Sequence, residues 1–373
     1  ALTTQRIQEM ISGSHRKGGA VSLTLNPVAQ KAAAEALGNQ RGAVVAINPK
    51  TGAILAQVST PSYDPNQLAT HDSKAARAAY SQLSTDKTRP LVNRALGGDQ
   101  YAPGSTFKML TATAMLENSD LTPDSIVDAP DTWTPPGTTH KIDNPGERSC
   151  GDGSGRVSLR QAFIQSCNTP FAMGGVNVGG EKMMAQAKKF GFGTTFETPQ
   201  TVSSSRFPEP SSKSALAMDS IGQQDIRVTP MQMALIGAGI ANDGVVMEPH
   251  IVKQTLTSDL DVISNTKPKE FGRAMSKTTA KHIQEMMVAD VESGTGHRAA
   301  ISGVKVAGKT GTAEINASTP PHVWFVSFAP ADDPKIAVAV VVENSGNAGW
   351  NGDGGSVAAP IAKKVIQAYL GSS

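Results

Sequence analysis

One run of residues constrains the fold more than any other. Residues 335–343 are Ile, Val and Ala throughout, apart from a Lys at the start and a Glu at the end. A strand with one face in water alternates apolar and polar residues, whereas a continuously apolar strand is covered on both faces. The run therefore predicts a central strand with helices packed on both sides of its sheet.

Four further strands are predicted around this central one. Residues 42–48 and 53–58 are apolar runs joined by the turn Pro49-Lys50-Thr51-Gly52, which is the pattern of a hairpin. Residues 304–313 and 323–328 precede the central run and are separated by turns that contain Pro or Asp. Turns of this kind join antiparallel strands, because parallel neighbours need a long crossover. We expect an α+β fold with a five-stranded, mainly antiparallel sheet.

The segment between the early and late strands is mostly helical in pattern. Residues 120–156 are the exception, since they are rich in Pro, Asp, Thr and Gly and predict a long surface excursion. Helix-start signals, such as Asn or Thr followed by Pro, place further helices along the chain. The predicted helices are 27–37, about 73–82, one from Ser105, one from Ser158 that stops at 166–170, 180–190, one from Pro230, 276–292 and about 356–370.

The overall composition excludes some classes of protein. The chain has 373 residues, of which 39% are hydrophobic and 18% charged, and its net charge is +2. Such values are usual for globular domains, and they give no basic surface that would indicate a nucleic-acid partner. No apolar run approaches the length of about 18 residues that a membrane span needs.

The helix from Ser105 carries a candidate nucleophile. Pro103-Gly104 interrupts the preceding chain, and Lys108 follows Ser105 by three positions, on the same face of the helix. A serine beside an amine is the arrangement of a nucleophile with its base. Spacing alone is weak evidence, since it recurs where no long apolar helix begins, at Ser14–Lys17, Ser84–Lys87, Ser264–Lys267 and Ser302–Lys305.

Two further motifs support Ser105 as the nucleophile. Ser166-Cys167-Asn168 lies at a predicted helix end, and residues 308–312 (Gly-Lys-Thr-Gly-Thr) lie on a predicted strand. The small residues of that strand would let a ligand backbone approach closely. Similar triplets at residues 345–347 and 50–52 fall in a loop and a hairpin turn. We expect the three motifs to form one site for acyl transfer.

The chemistry assigns roles to two lysines. Lys108 can take a proton from Ser105 only if its amine is neutral. Bringing a lysine pKa from about 10.4 to near 7 needs roughly 4–5 kcal/mol. Burial and a second cation both act in that direction, and Lys309 is the candidate cation.

The remaining motif residues fit the substrate. Ser166 can relay the proton to the leaving amine, and Asn168 can hold Lys108 and the substrate amide. The hydroxyls of Thr310 and Thr312 can bind a carboxylate. The backbone N–H groups of Ser105 and Thr312 are the natural donors to the oxyanion of a tetrahedral intermediate.

Ser-x-x-Lys, Ser-x-Asn and Lys-Thr-Gly in this order resemble the signature of penicillin-binding proteins and serine β-lactamases. Most of the chain resembles class B penicillin-binding proteins, and among these the actinobacterial members. The stretches that carry this likeness are 48–56, 61–66, 101–108, 221–223, 228–230, 241–244, 306–314, 322–325 and 328–330.

The resemblance implies the fold of these transpeptidases and an activity that cross-links peptidoglycan stem peptides through an acyl-enzyme on Ser105. β-Lactam antibiotics would acylate the same serine. Gly311 and Trp324 would contact substrate together with the two threonines. No metal and no organic cofactor is implied, and no nucleic acid.

The resemblance also implies a setting for the domain. Residues 39–373 would be the transpeptidase domain, and residues 1–38 the remnant of an N-terminal pedestal and linker. An N-terminal span absent from this chain would anchor the protein at the extracytoplasmic face of the plasma membrane. A membrane glycosyltransferase would be its partner in the full-length protein.

Cys150 and Cys167 are the two cysteines of the chain. Composition leaves open whether they are free thiols or a disulfide. Cys167 stands where this family more often has Ser or Asp, and a buried or bridged role suits its place better than a nucleophilic one. The extracytoplasmic location that the resemblance implies favours a Cys150–Cys167 disulfide.

Three alternatives stay open at this point. A serine β-lactamase would share acylation but needs a base for rapid hydrolysis, and no Glu-x-x-Leu-Asn stretch is present. A D-Ala-D-Ala carboxypeptidase has the same motifs. A β-lactam sensor or division scaffold would not depend on Ser105 for its cellular role.

Overall fold

The computed structural model describes residues 18–372. Sixteen strands lie in this part of the chain. They are β1 (Ala20–Leu23), β2 (Gly42–Ile47), β3 (Ile54–Thr60), β4 (Ile126–Asp128), β5 (Thr132–Trp133), β6 (Ile142–Asp143), β7 (Arg156–Ser158), β8 (Phe196–Glu197), β9 (Thr201–Val202), β10 (Val245–Met247), β11 (Val252–Leu256), β12 (Val262–Asn265), β13 (Glu270–Arg273), β14 (Ala307–Ala313), β15 (His322–Ala329) and β16 (Ile336–Val342).

Ten α-helices lie in the same described part. They are α1 (Pro27–Leu37), α2 (Ser73–Thr85), α3 (Lys108–Glu117), α4 (Leu159–Ile164), α5 (Thr169–Val178), α6 (Gly180–Lys189), α7 (Lys213–Asp219), α8 (Pro230–Ala241), α9 (Lys277–Ser293) and α10 (Ala359–Leu370). A 3-10 turn, Gly104–Phe107, leads into α3, and another, His297–Ala299, follows α9.

The central sheet has five strands in the order β14–β15–β16–β2–β3, and every neighbouring pair is antiparallel. The predicted sheet and fold class are confirmed. Every residue of β16 is buried, as expected for a strand covered on both faces. Ala337, Ala339 and Val341 face a core that includes α8 and α9, and the alternate residues face a second core.

The second core is built by α1 and α10. The family resemblance implies that residues 1–38, which include α1, are the remnant of an N-terminal pedestal and linker. Residues 1–17 lie outside the described part of the chain. Ala29, Ala33 and Leu37 of α1 are instead fully buried in this second core with residues of α10. Helix α1 therefore belongs to the same compact unit as the sheet, because its apolar face is covered by that unit.

Capping side chains start the helices where the sequence predicts. The Asn26 side chain accepts hydrogen bonds from two backbone N–H groups at the start of α1, and Ser276 caps α9 through Thr279 N. The helix from Ser158 ends at Ile164, close to its predicted stop, and residues 165–168 are not helical. The sequence pattern does not predict the helix that follows. Helix α5 begins at Thr169 directly after the Ser166–Asn168 link, because Pro170 needs no N–H partner in a first turn.

Within residues 18–372, no helix is both long enough and apolar enough to cross a membrane.

Candidate active site

A cleft of about 1000 Å³ runs beside β14, the edge strand of the central sheet. Residues from all three predicted motifs line it, among them Ser105, Ser166, Asn168, Thr310 and Thr312. The fold therefore brings together groups that are far apart in sequence.

The turn that carries the nucleophile is held between β14 and the loop after α7. Gly104 has a φ of +53°, and a Cβ there would lie 2.4 Å from Thr312 O. On the other side, Gly104 N donates a hydrogen bond to Gly222 O, and a Cβ on Gly222 would lie 2.0 Å from Gly104 O. Glycine is required at both positions because backbone lies against backbone.

Lys108 is placed to accept the Ser105 proton. Its Nζ atom lies 3.0 Å from Ser105 Oγ, 2.7 Å from the carbonyl oxygen of Ser166 and 2.7 Å from Asn168 Oδ1. The last two atoms only accept hydrogen bonds, and a neutral amine has two hydrogens and one lone pair. If these acceptors take both hydrogens, the lone pair points at Ser105 Oγ.

The surroundings of Lys108 favour this neutral form. The side chain is fully buried, and its Nζ lies 5.8 Å from the centroid of the Phe171 ring. Burial, followed by the charge of Lys309, holds the pKa of Lys108 well below its usual value. Both causes of a lowered pKa that the reaction needs, burial and a second cation, are present in the structure.

Lys309 connects the strand motif to Ser166. Its Nζ donates to Ser166 Oγ at 2.8 Å and to Thr310 O at 3.2 Å. Burial lowers the pKa of Lys309, whereas the carboxylate of Asp290 raises it. Of the two lysines, Lys309 is therefore the one whose positive charge is stabilised by a carboxylate.

The Ser166–Asn168 link is held by the excursion that precedes it. Ser166 has a φ of +55°, and Asn144 Oδ1 accepts hydrogen bonds from the backbone N–H groups of Asn168 and Thr169. In the structure a disulfide joins Cys150 to Cys167, with the two Cα atoms 5.9 Å apart. Residues 142–150 thus fix the second motif beside Lys108.

The backbone of β14 faces the nucleophile. Thr312 O is in reach of Gln223 Nε2, at 3.5 Å, so this carbonyl points away from β15. The N–H and C=O groups of one residue in an antiparallel strand point to the same side. The Thr312 N–H therefore points towards the Ser105 turn, where the predicted oxyanion site lies.

The family profile described as the penicillin-binding protein transpeptidase domain matches residues 42–367. The chain belongs to this family. The peptidoglycan D,D-transpeptidase PbpA of Mycolicibacterium smegmatis is 43% identical over 378 residues, which cover 99% of this chain and 76% of that protein. The prediction of a class B penicillin-binding protein with an actinobacterial likeness is confirmed.

Solved structures of penicillin-binding proteins have the same fold. The ceftriaxone acyl-enzyme complex of penicillin-binding protein A from Mycobacterium tuberculosis has a TM-score of 0.94 and 41% identity, covering 99% of this chain and 84% of that one. A D,D-transpeptidase domain from Eggerthella lenta has a TM-score of 0.85 and 32% identity, covering 98% and 86%.

One expected substrate residue of this penicillin-binding protein has another position. Trp324 is fully buried, its Nε1 donates to Ala102 O at 3.1 Å, and its ring packs edge-on against Tyr101. It supports the segment before the nucleophile and does not line the cleft, because its side chain is packed in the core.

Two contributors to the site of this penicillin-binding protein escape motif analysis. Asn144 stands in a Pro- and Gly-bearing excursion, and Thr295 follows α9 and lines the cleft. Neither has a local pattern that would single it out. Among the described residues, no group of three or more His, Cys, Asp or Glu could hold a metal ion.

Proposed function

We propose that the chain is a serine-type peptidoglycan D,D-transpeptidase that cross-links stem peptides through a Ser105 acyl-enzyme. One observation carries the proposal. The two carbonyl acceptors around Lys108 leave its lone pair for Ser105, so that the serine has a base in place before substrate arrives. The family membership and the D,D-transpeptidase names of the relatives support it.

The first half-reaction would acylate the serine. Ser105 Oγ attacks the carbonyl carbon of the penultimate D-Ala as its proton passes to Lys108 Nζ. The N–H groups of Ser105 and Thr312 stabilise the oxyanion. The C–N bond then breaks, and the proton moves by way of Ser166 to the leaving amine, which departs as D-Ala.

The second half-reaction would reverse these steps with a different amine. The amino group of a neighbouring stem peptide attacks the acyl-enzyme and gives its proton to the relay, and the Ser105 oxygen recovers one from Lys108. Attack by water in place of the amine would make the enzyme a carboxypeptidase. The product therefore depends on which nucleophile reaches the ester first.

The strand motif would hold the carboxylate of the terminal D-Ala. The hydroxyls of Thr310 and Thr312 line the cleft beside the buried Lys309 cation. Gly311 supplies no side chain, and a Cβ there would lie 2.8 Å from Thr106 Cγ2 and 3.0 Å from Pro103 O. The missing side chain lets the strand lie close to the Ser105 turn.

β-Lactams would follow the first half-reaction only. Solved structures of penicillin-binding protein A from M. tuberculosis include acyl-enzyme complexes with ceftriaxone, imipenem and penicillin G. In a β-lactam the leaving nitrogen remains tethered after the ring opens, so it continues to occupy the place of the incoming amine. Ser105 would stay acylated.

The setting of the domain completes the proposal. A peptidoglycan substrate puts the enzyme in the cell envelope. We further propose that residues 39–373 are the transpeptidase domain, with α1 of the preceding segment packed onto it. We also propose that an N-terminal span anchors the natural protein at the extracytoplasmic face, and that a membrane glycosyltransferase supplies its glycan strands.

Intact-protein mass after incubation with benzylpenicillin tests the acyl-enzyme. We expect a stable adduct on the parent and none on Ser105→Ala. Ser302→Ala is the matched control, because Ser302 has the same spacing to a lysine but is exposed and outside the cleft. An adduct that vanishes within seconds would indicate a β-lactamase, and none at all would favour a scaffold.

A stem-peptide mimic ending in D-Ala-D-Ala, supplied with and without an amine acceptor, tests the transfer step. The proposal expects an amide product when the acceptor is present. Release of D-Ala without any amide product would reassign the chain as a carboxypeptidase. Rescue of a depleted cell by Ser105→Ala would show that the cellular role is not catalytic.

A further inference from the structure

Asp290, near the end of α9, is a carboxylate that the mechanism above does not use. Its side chain is completely buried. Oδ1 accepts hydrogen bonds from Thr295 N and Thr295 Oγ1, both at 2.9 Å, whereas Oδ2 has no hydrogen-bond partner among the described residues. A buried carboxylate is costly unless a partner or a charge compensates it.

The loop after α9 is shaped around this carboxylate. The N–H groups of Gly294 and Gly296 both donate to the Asp290 carbonyl oxygen. A Cβ at Gly294 would lie 2.5 Å from Asp290 Oδ1, and one at Gly296 would lie 3.0 Å from Oδ2. The absence of side chains at these two positions is what allows the loop to close over Asp290.

The closed loop links Asp290 to the substrate strand. Thr295 Oγ1 lies 2.5 Å from Thr310 Oγ1 in addition to its contact with Asp290. Burial raises the pKa of Asp290, whereas the charge of Lys309 and the hydrogen bonds from Thr295 act in the opposite direction and favour the ionised form. An ionised carboxylate only accepts hydrogen bonds, so the Thr295 hydrogen goes to Asp290. The hydrogen in the second contact must then come from Thr310, which fixes the direction of that hydroxyl.

Lys309 is the charged group that acts on Asp290. Its Nζ contacts only the uncharged oxygens of Ser166 and Thr310. The next residue, Thr310, is linked through Thr295 to the Asp290 carboxylate, whose charge raises the pKa of Lys309. The other charged groups on the flanking elements are directed elsewhere. His297 and Arg298 are exposed, and Arg160 of α4 pairs with Asp124 and Glu285. Lys108 lies beyond Ser166, and Glu117 of α3 contacts the far end of α9 at Ser276. Helix α8 has no charged side chain.

We infer that Asp290 is a positioning residue, a buried counter-ion that keeps the proton on Lys309 and not on Lys108, and that fixes the Thr310 hydroxyl through Thr295. The inference rests on the proposed function, since it concerns the base and the carboxylate site of that reaction. Asp290 touches no substrate and acts through these neighbours.

The test measures the rate of acylation by benzylpenicillin against concentration from pH 6 to 10. In Asp290→Asn the Oδ1 acceptor remains but the charge is lost, so Lys309 gives up its proton at a lower pH. We expect the alkaline inflection of the rate to move down by about one pH unit and the maximum rate to fall about tenfold. Glu117→Gln, which removes a carboxylate at the other end of α9, should match the parent.

Thr295→Val tests the hydroxyl link separately. We expect the inflections to stay in place while the benzylpenicillin concentration for half-maximal rate rises about fivefold, as for one lost hydrogen bond. Thr295→Ser should restore the parent value. Thermal unfolding shows whether each variant is folded. If Asp290→Asn does not fold, the two variants at the exposed Thr295 test the inference without it.

The outcomes separate this inference from the proposed function. A parent that benzylpenicillin does not acylate overturns the proposed function. An acylated parent whose profile superimposes on that of folded Asp290→Asn overturns the inference alone. So does a Thr295→Val variant with the parent's half-saturation concentration.

Discussion

Lys309 Nζ donates a hydrogen bond to Ser166 Oγ at 2.8 Å, although the two residues are 143 positions apart. The carbonyl oxygen of the same serine accepts from Lys108 Nζ at 2.7 Å. Ser166 therefore contacts one lysine with its side chain and the other with its backbone. A change at either lysine is felt at the other through this residue, and the charge of Lys309 acts on Lys108 in addition.

Lys309→Met should slow acylation by benzylpenicillin roughly a hundredfold at pH 7, in the range of acid–base contributions. The charge of Lys309 helps to lower the pKa of Lys108, so its removal raises that pKa. The acid-side inflection of the rate should move to higher pH. Lys305→Met, four positions earlier and exposed, is the control, and an unmoved inflection in Lys309→Met would contradict the assigned role.

Asn144→Ala should destabilise the fold by about 2–4 kcal/mol, because two backbone N–H groups, those of Asn168 and Thr169, lose their common acceptor. Urea unfolding measures the loss of free energy. The exposed Asn316→Ala serves for comparison and should change little. Equal unfolding midpoints for the two variants would show that Asn144 does not hold the Ser166–Asn168 link.

Gly311→Ala should reduce acylation more than tenfold, with only a modest loss of stability. The added Cβ would lie within 3.0 Å of Thr106 and Pro103, so β14 must move away from the Ser105 turn. A displacement of this size matters in a site that works by orientation. Gly272→Ala meets nothing within 4 Å and should leave the acylation rate unchanged.

Asp219→Asn should alter how stability depends on pH. Burial raises the pKa of Asp219 to about 7, and its Oδ2 has no hydrogen-bond partner in the described chain. The protonated form is therefore preferred in the fold, and the parent loses up to about 4 kcal/mol between pH 4 and 7. The variant should lack this loss.

Denaturant unfolding of the parent and Asp219→Asn at pH 4.5 and pH 8 checks the sign. The exposed Asp259→Asn is the control and should follow the parent. If the free-energy difference between Asp219→Asn and the parent is the same at both pH values, Asp219 does not titrate in this window.

Much of the fold follows from local patterns. The continuous apolar run of β16 indicates a doubly covered strand, and the capping residues at Asn26 and Ser276 mark helix starts correctly. These signals work because each depends on neighbours in sequence. The site motifs also rest on such neighbours, since Ser105 and Lys108 share a helical face.

The residues that sequence analysis places wrongly, or misses, depend on contacts between distant segments. The pattern around Trp324 does not reveal that its ring packs under Ala102 and Tyr101. Likewise, the link from Asp290 through Thr295 to Thr310 exists only once α9 packs on β14. The end of α4 and the start of α5 are difficult to separate because only four residues, 165–168, divide them.

The open edge of β14 has an implication for drug resistance. If a peptide or an inhibitor lies along this edge as a sixth strand, it is held by main-chain groups that every amino acid except proline supplies in full. Replacements other than proline leave those groups in place and can only shift the strand that carries them. A shift that rejects an antibiotic rejects the cell-wall peptide as well, so escape through this strand would come at the expense of cross-linking.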